Sequence, residues 1–141
     1  MTVVSADQEN DADVLAVTGA SLALSLSPVP WNGPIAAVRV GRVEGNWILN
    51  PTFGQLEFST IDLTASGSAD SVVMVEGGAL EVSEAEVLEA LKVAQKGIKE
   101  LIALCNKVSE PAAKPTMAWT KAEPDAALAA RNPKFAARRE L

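Results

Sequence analysis

The residues of this chain that could perform acid-base or metal chemistry are few. Asp62 and Glu57 could form a carboxylate pair, but the five-residue gap between them crosses a loop-to-strand junction and fixes no geometry. Histidine, the commonest general base near neutral pH, is absent. The single cysteine, Cys105, falls on the apolar stripe of a predicted helix, which favours a buried core thiol over a nucleophile. Triad hydrolases and zinc sites are therefore disfavoured.

Two arginines offer a different chemistry, which is the binding of anions. Arg39 and Arg42 are the only basic residues of the body, residues 1–108, before its final predicted helix, and both fall in one β-prone run, residues 35–43. Their guanidinium groups could contact phosphate. Ion pairs with the surrounding acids, or contacts between subunits, are the alternatives.

The charge balance argues against a nucleic-acid binder that works alone. The chain has 12 basic and 18 acidic residues, a net charge of −6. Residues 1–108 hold 14 acidic and 6 basic residues, a net charge of −8, whereas residues 109–141 have a net charge of +2. Because an acidic body repels phosphate, RNA contact would need a few placed arginines or a partner.

The sequence shows no signal for secretion or membrane insertion. Its start turns acidic before a long apolar run develops, and the most apolar stretch, residues 14–26, is too short and too rich in serine to span a bilayer. We therefore expect a cytoplasmic protein without membrane contact.

Hydrophobic patterns predict the elements that would position these side chains. They are a strand at residues 2–5, a buried helix at 13–27, hairpins at 35–49 and 60–75, and a long helix that starts with a capping box at Ser83 and Glu86. The small residues Ala16, Gly19, Ala20 and Ala23 would let the first helix lie close against a sheet. The long helix carries the apolar stripe Val87, Leu91, Ala94, Ile98, Leu101 and Cys105.

The order of these elements predicts an α+β sandwich, in which helices pack on one side of a mixed or antiparallel sheet. We expect this body to occupy residues 1–108. Residues 109–116 contain two prolines and are typical of a linker. Residues 117–141 are interpreted as a short helical tail, with one or two helices between Pro124 and Leu141.

Several segments together resemble the bacterial polynucleotide phosphorylase family. They are residues 11–16 with Gly19-Ala20-Ser21, residues 30–35, Val38-Arg39-Val40-Gly41, residues 49–52, Asp62-Leu63 and residues 72–76. After the linker, Lys114-Pro115, Trp119, Glu123-Pro124 and Ala126-Ala127-Leu128 continue the resemblance. It covers the second half of the family's first ribonuclease PH-like domain, of the ribosomal protein S5 domain 2-like type, and the start of its helical region.

The resemblance implies a phosphate-dependent 3′-to-5′ exoribonuclease, also called polyribonucleotide nucleotidyltransferase, that acts in RNA degradation. It further implies a homotrimeric parent protein that uses Mg²⁺ and binds RNA, with this chain as a partial domain that needs the remainder of that parent. No Mg²⁺ or phosphate site is expected within this chain. Any phosphate contact would fall to Arg39 and Arg42.

The family's catalytic copy carries an Asp, a second Asp six residues later and a Lys two residues further, ahead of an Ala-Gly-Thr turn. This chain has Leu56, Asp62 and Thr64 before residues 66–68. Since leucine cannot hold a metal and threonine supplies no positive charge, we expect no catalytic residue and no metal ligand here, and a structural role. The alternative is a stand-alone, non-enzymatic interaction module derived from the same domain.

Overall fold

The computed structural model describes residues 1–120, which form three helices and one four-stranded sheet. In chain order the elements are α1 (Asp13–Leu26), β1 (Ala36–Val43), β2 (Asn46–Leu49), α2 (Phe53–Leu56), β3 (Ile61–Gly67), β4 (Val72–Ala79) and α3 (Glu84–Ser109). Within residues 1–120, no helix is both long enough and apolar enough to cross a membrane. The helices expected between Pro124 and Leu141 lie outside the described residues.

The sheet is antiparallel throughout, in the order β2-β1-β3-β4. Both predicted hairpins are confirmed, because β1 pairs with β2 and β3 pairs with β4. Glu44 and Gly45 adopt φ angles of 49° and 80° between β1 and β2, the left-handed conformation that a two-residue hairpin turn needs. The pairing of β1 with β3, which joins the two hairpins into one sheet, aligns Val40 with Leu63.

Helix α3 covers one face of this sheet and builds the core. The buried residues of that face lie on β1 and β3, and they pack against a buried stripe of the helix: Ala36, Val38, Val40, Ile61, Leu63, Ala65, Ala90, Ala94, Ile98 and Ile102. Gly97 lets the helix approach closely, since a Cβ there would lie 3.1 Å from Leu49 Cδ1. The predicted capping box of Ser83 and Glu86 is present, and Cys105 is buried as expected.

The predicted apolar stripe of α3 is confirmed in part. Ala94, Ile98 and Cys105 are buried, while Val87, Leu91 and Leu101 are only partly buried. The helix presents Ala90, Gly97 and Ile102 to the sheet as well. The true contact stripe is therefore wider than the repeat of large apolar residues suggests, because small residues mark the closest approach to β1.

Helix α1 lies against the half of β1 that has no strand partner on its outer side. Thr18 Oγ1 accepts a hydrogen bond from the Ala37 N–H at 3.2 Å, and Ser21 Oγ accepts one from the Ile35 N–H at 2.8 Å. These hydroxyls satisfy edge donors that would otherwise be left without a partner. The helix thus takes the place of a strand along this part of the sheet.

Two expectations for α1 are wrong. The helix is not buried as a whole, because only Val14 and Ser21 are buried and Leu15 is 72 % exposed. Two of the four small residues do not mark its contact with the sheet either, since Ala23 is exposed and a Cβ on Gly19 would meet only Met1. The helix contacts β1 through the polar groups of Thr18 and Ser21, which the small-residue pattern does not identify.

The strand expected at residues 2–5 is also wrong. These residues are exposed and have no regular structure. Met1 Cε lies 3.9 Å from the position that a Cβ on Gly19 would take, so Met1 lies beside α1. Without a neighbouring strand, its β-branched residues have no ladder to join.

Candidate functional site

An open cleft lies on the face of the sheet opposite α3. Its volume is about 520 Å³, and it lies between α1 on one side and β4 on the other, with β1 and β3 as its floor. The lining side chains that could interact with a ligand through charge are Asp13, Arg39, Asp62 and Glu76. Odd-numbered residues of β1 point to this face because successive side chains alternate along a strand.

Arg39 is the central group of the cleft, and its guanidinium forms ion pairs with three carboxylates. Its Nη2 atom lies 2.6 Å from Asp13 Oδ2 and 3.0 Å from Asp11 Oδ2, and its Nη1 atom lies 3.6 Å from Asp62 Oδ2. The side chain is only 16 % exposed. One guanidinium therefore joins the start of α1 to β3 across the floor of the cleft.

The pKa of Arg39 reflects this surrounding charge. Burial is the largest single influence and disfavours the charged form. The hydrogen bond to Asp13 and the charges of Asp62, Asp13 and Asp11 together outweigh burial, so the pKa of Arg39 is raised above its ordinary value. Arg39 is held as a permanent cation.

Arg42 lies on the opposite face of the sheet from Arg39, because the two differ by three positions along β1. Its guanidinium pairs with Glu86 at the start of α3 and lies 5.2 Å from the centre of the Trp47 ring. The structure thus separates the two candidate phosphate-contacting arginines and places each in ion pairs. No geometry here tests phosphate contact by Arg39 or Arg42, which stays a prediction.

Glu86, the partner of Arg42, holds its proton weakly. The backbone N–H of Ser83, the Arg42 guanidinium and the Ser83 hydroxyl, in that order of influence, lower the pKa of Glu86 from 4.5 to about 2. The same carboxylate completes the capping box of α3. Arg42 therefore ties β1 to the first turn of the helix that covers it.

The residues that correspond to the family's catalytic pattern do not form a common site. Asp62 and Thr64 line the cleft, but Leu56 lies on α2 and is not among the lining residues. Glu57 caps the end of α2 and does not line the cleft either, so the possible pair of Asp62 and Glu57 is not formed there. The nearest charged neighbour of Asp62 is a guanidinium.

The charged side chains that line the cleft are mostly acidic, and its one arginine is ion-paired. Within residues 1–120, no group of three or more His, Cys, Asp or Glu residues is placed to hold a metal ion. The carboxylate that could contribute, on Asp62, faces the Arg39 cation. Three lining acids against one lining base leave a negative field, which disfavours an incoming phosphate.

Short helix α2 is an element that the sequence interpretation missed. Thr52 accepts a hydrogen bond from the Gln55 N–H, and the Gln55 side chain accepts one from the Thr52 N–H. This reciprocal pair is a capping box, so the Thr-x-x-Gln spacing was a readable signal. The helix places Leu56 and Glu57 away from the cleft.

Comparison with known proteins gives the relationships of the chain. Residues 33–97 match the model of the "3' exoribonuclease family, domain 2". A polyribonucleotide nucleotidyltransferase from Gemmatimonas aurantiaca is 59 % identical over 121 residues, which are 86 % of this chain and 16 % of that protein.

Two further relatives carry the same name. The protein from Nitratidesulfovibrio vulgaris (strain Miyazaki F) is 51 % identical over 92 % of this chain and 17 % of its own length. The protein from Thermus thermophilus is 47 % identical over 87 % of this chain and 17 % of its own length. The chain thus spans about a sixth of the length of the curated relatives that it matches.

Proposed function

The chain belongs to the polyribonucleotide nucleotidyltransferase family, and from this premise we propose that it is a structural, non-catalytic part of a phosphate-dependent 3′-to-5′ exoribonuclease that degrades RNA. The catalytic copy of the ribonuclease PH-like domain would lie elsewhere in the parent protein. Mg²⁺, inorganic phosphate and RNA would be bound there. The parent would be a cytoplasmic homotrimer, and the remainder of that parent would be the first partner of this chain.

The pairing of Asp62 with Arg39 is the observation that carries this proposal. Asp62 occupies the one position at which this chain keeps a carboxylate of the catalytic pattern, and the guanidinium lies 3.6 Å away. A cation that is part of the fold competes with any metal for that carboxylate. With leucine and threonine at the other two positions, the cleft supplies neither a metal site nor positive charge for a phosphoryl group.

The ion pairs also support the structural part of the proposal. Arg39 connects α1 to β3, and Arg42 connects β1 to α3. Both arginines could reach RNA only by leaving their carboxylate partners. These ion pairs therefore favour a structural role for Arg39 and Arg42, which is to hold the helices against the sheet, over contact with phosphate.

A phosphorolysis assay tests whether the chain is catalytic. The purified chain would be incubated with a labelled oligoribonucleotide, Mg²⁺ and inorganic phosphate, and released nucleoside diphosphate would be measured. We expect no release above a control without protein, while the full-length relative from Thermus thermophilus degrades the RNA. Phosphate-dependent release that is lost in Asp62→Ala would refute the proposal.

A chimaera tests the structural role. The corresponding segment of the Gemmatimonas aurantiaca relative would be replaced by residues 1–120 of this chain. We expect the chimaera to assemble and degrade RNA, and Asp62→Asn within it to leave kcat within about twofold, since Asp62 touches no reacting atom in the proposed role. A loss of kcat in Asp62→Asn of more than about tenfold, with assembly intact, would show that this copy takes part in catalysis.

A further inference from the structure

Helix α1 contributes little to the hydrophobic core. Within residues 1–120, the core cluster in which α3 packs on the sheet is formed by buried residues of β1, β3 and α3. Val14 is the one apolar residue of α1 that is buried, whereas Leu15 is 72 % exposed. The sheet and α3 therefore keep their core contacts whether or not α1 is in place.

Two hydroxyls and one guanidinium connect α1 to the sheet. Thr18 and Ser21 accept hydrogen bonds from backbone N–H groups at the start of β1 and just before it. Arg39 of β1 pairs with Asp13 at 2.6 Å and with Asp11, just before the helix, at 3.0 Å. When α1 leaves the sheet, water replaces these partners, so each contact contributes less than the burial of a large apolar side chain. We call Arg39, Thr18 and Ser21 the α1 latch.

The sequence of α1 does not support a helix that is detached from the sheet. The helix has 14 residues, and Ala12 precedes it without a side-chain cap. Isolated helices shorter than about 12–15 residues are marginal in water. Thr18, Gly19 and Ser21 also have low helix propensity. A helix that leaves the sheet therefore melts, and its backbone N–H groups lose their acceptors.

The segments that flank α1 allow it to leave. Residues 1–12 and 27–35 have no helix or strand. The ladders of the sheet begin only at Ala36, where β1 pairs with β3. Release of α1 therefore breaks no strand pairing.

We propose that α1 opens as a separate cooperative unit, which leaves the sheet and melts while the sheet and α3 stay folded, and that the α1 latch holds it closed. Such units open at a lower free energy than the whole domain unfolds. Opening removes one wall of the cleft and frees the Ile35 and Ala37 N–H groups. The proposal follows from contacts within this chain and does not depend on the proposed function.

Native-state hydrogen exchange of the 141-residue chain tests the proposal. Exchange would be followed by NMR in urea concentrations below the unfolding transition. The Ala20, Leu22 and Leu24 amides report on α1, and the amides of the buried residues Ala94 and Ile102 report on α3. We expect the α1 amides to be at least about a hundredfold less protected. They should lose protection together, with one urea slope that is smaller than that of the α3 amides, because opening exposes less surface than global unfolding.

Two matched substitutions on β1 test the latch. Arg39 and Arg42 lie on opposite faces of this strand, and opening breaks the pair of Arg39 with Asp13 but keeps the pair of Arg42 with Glu86. Arg39→Met should therefore reduce the protection of the α1 amides at least about tenfold. Arg42→Met should leave their protection unchanged, because its lost pair is present in both the closed and the open state.

Ile98→Val is a second control, because it weakens the core and leaves the latch intact. It should reduce the protection of Ala94 and Ile102 about twofold to tenfold and leave that of the α1 amides unchanged. The proposal is overturned if the α1 amides are as protected as those of α3, or if they share no common urea slope. It is also overturned if Arg39→Met leaves the protection of α1 unchanged, or if Ile98→Val reduces the protection of both helices equally.

Discussion

Replacement of Arg39 by methionine should destabilise the fold. Its three carboxylate partners should contribute unequally to the lost free energy of unfolding. The hydrogen bond to Asp13 joins two charged groups, which contributes about 1.5–3 kcal/mol when well shielded. The Asp13 side chain is 40 % exposed, which places this pair near the lower end of that range. Asp11, at 3.0 Å and 33 % exposed, adds at most about 1 kcal/mol. Asp62, at 3.6 Å and 49 % exposed, adds close to nothing.

We therefore expect Arg39→Met to lower the free energy of unfolding by about 1.5–2.5 kcal/mol. Methionine keeps much of the aliphatic stem, so most of the loss reports on charge. Urea unfolding followed by far-ultraviolet circular dichroism, at a protein concentration that keeps the chain monomeric, measures it.

Double-mutant cycles then separate the partners. The coupling of Arg39 to Asp13, measured with Asp13→Asn, should be about 1–2 kcal/mol, and the coupling to Asp62, measured with Asp62→Asn, below about 0.5 kcal/mol. The reasoning fails if Arg39→Met costs less than about 0.5 kcal/mol, or if Asp62 couples more strongly than Asp13. Either result would mean that the guanidinium is held by something other than the start of α1.

Two further changes test the contacts of the helices with the sheet. Ser21→Ala should lower the free energy of unfolding by about 1–2 kcal/mol in urea, because it leaves the Ile35 N–H without its acceptor, whereas the control Ser25→Ala loses only a bond within α1. Glu86 has a folded-state pKa of about 2, below its ordinary 4.5, so its contribution is present above pH 4.5 and is lost as the pH falls towards 2. Glu86→Gln should flatten the fall in stability across that window, and an unchanged pH profile would contradict the lowered pKa of Glu86.

The elements that the sequence predicted correctly are those specified by neighbouring residues. Strict alternation over residues 60–66 places Ile61, Leu63 and Ala65 on one face, and the structure buries all three. The capping box of α3 has its partners three residues apart. Such signals need no knowledge of the rest of the fold, which is why both hairpins and the long helix could be predicted.

The failures involve partners that are distant in the chain or missing from it. Residues 2–5 have the composition of a strand but no neighbouring strand in the described part of the chain, so propensity alone is not enough. For Arg39, an ion pair was one of the alternatives open from the sequence. Its partner Asp13 is 26 residues away, and only the fold brings them together. The sequence could indicate an ion pair for Arg39, but it could not identify the carboxylates that pair with it.

The Arg39 contacts explain why the same residues serve rigidity and exclude catalysis in the proposed function. A catalytic carboxylate must be free to hold a metal, whereas a structural carboxylate must be neutralised by a fixed partner. Asp62 lies 3.6 Å from a guanidinium that also contacts Asp11 and Asp13. Under the proposed function, this copy would therefore lack more than the two side chains at positions 56 and 64, since the carboxylate that it keeps, on Asp62, lies beside a guanidinium.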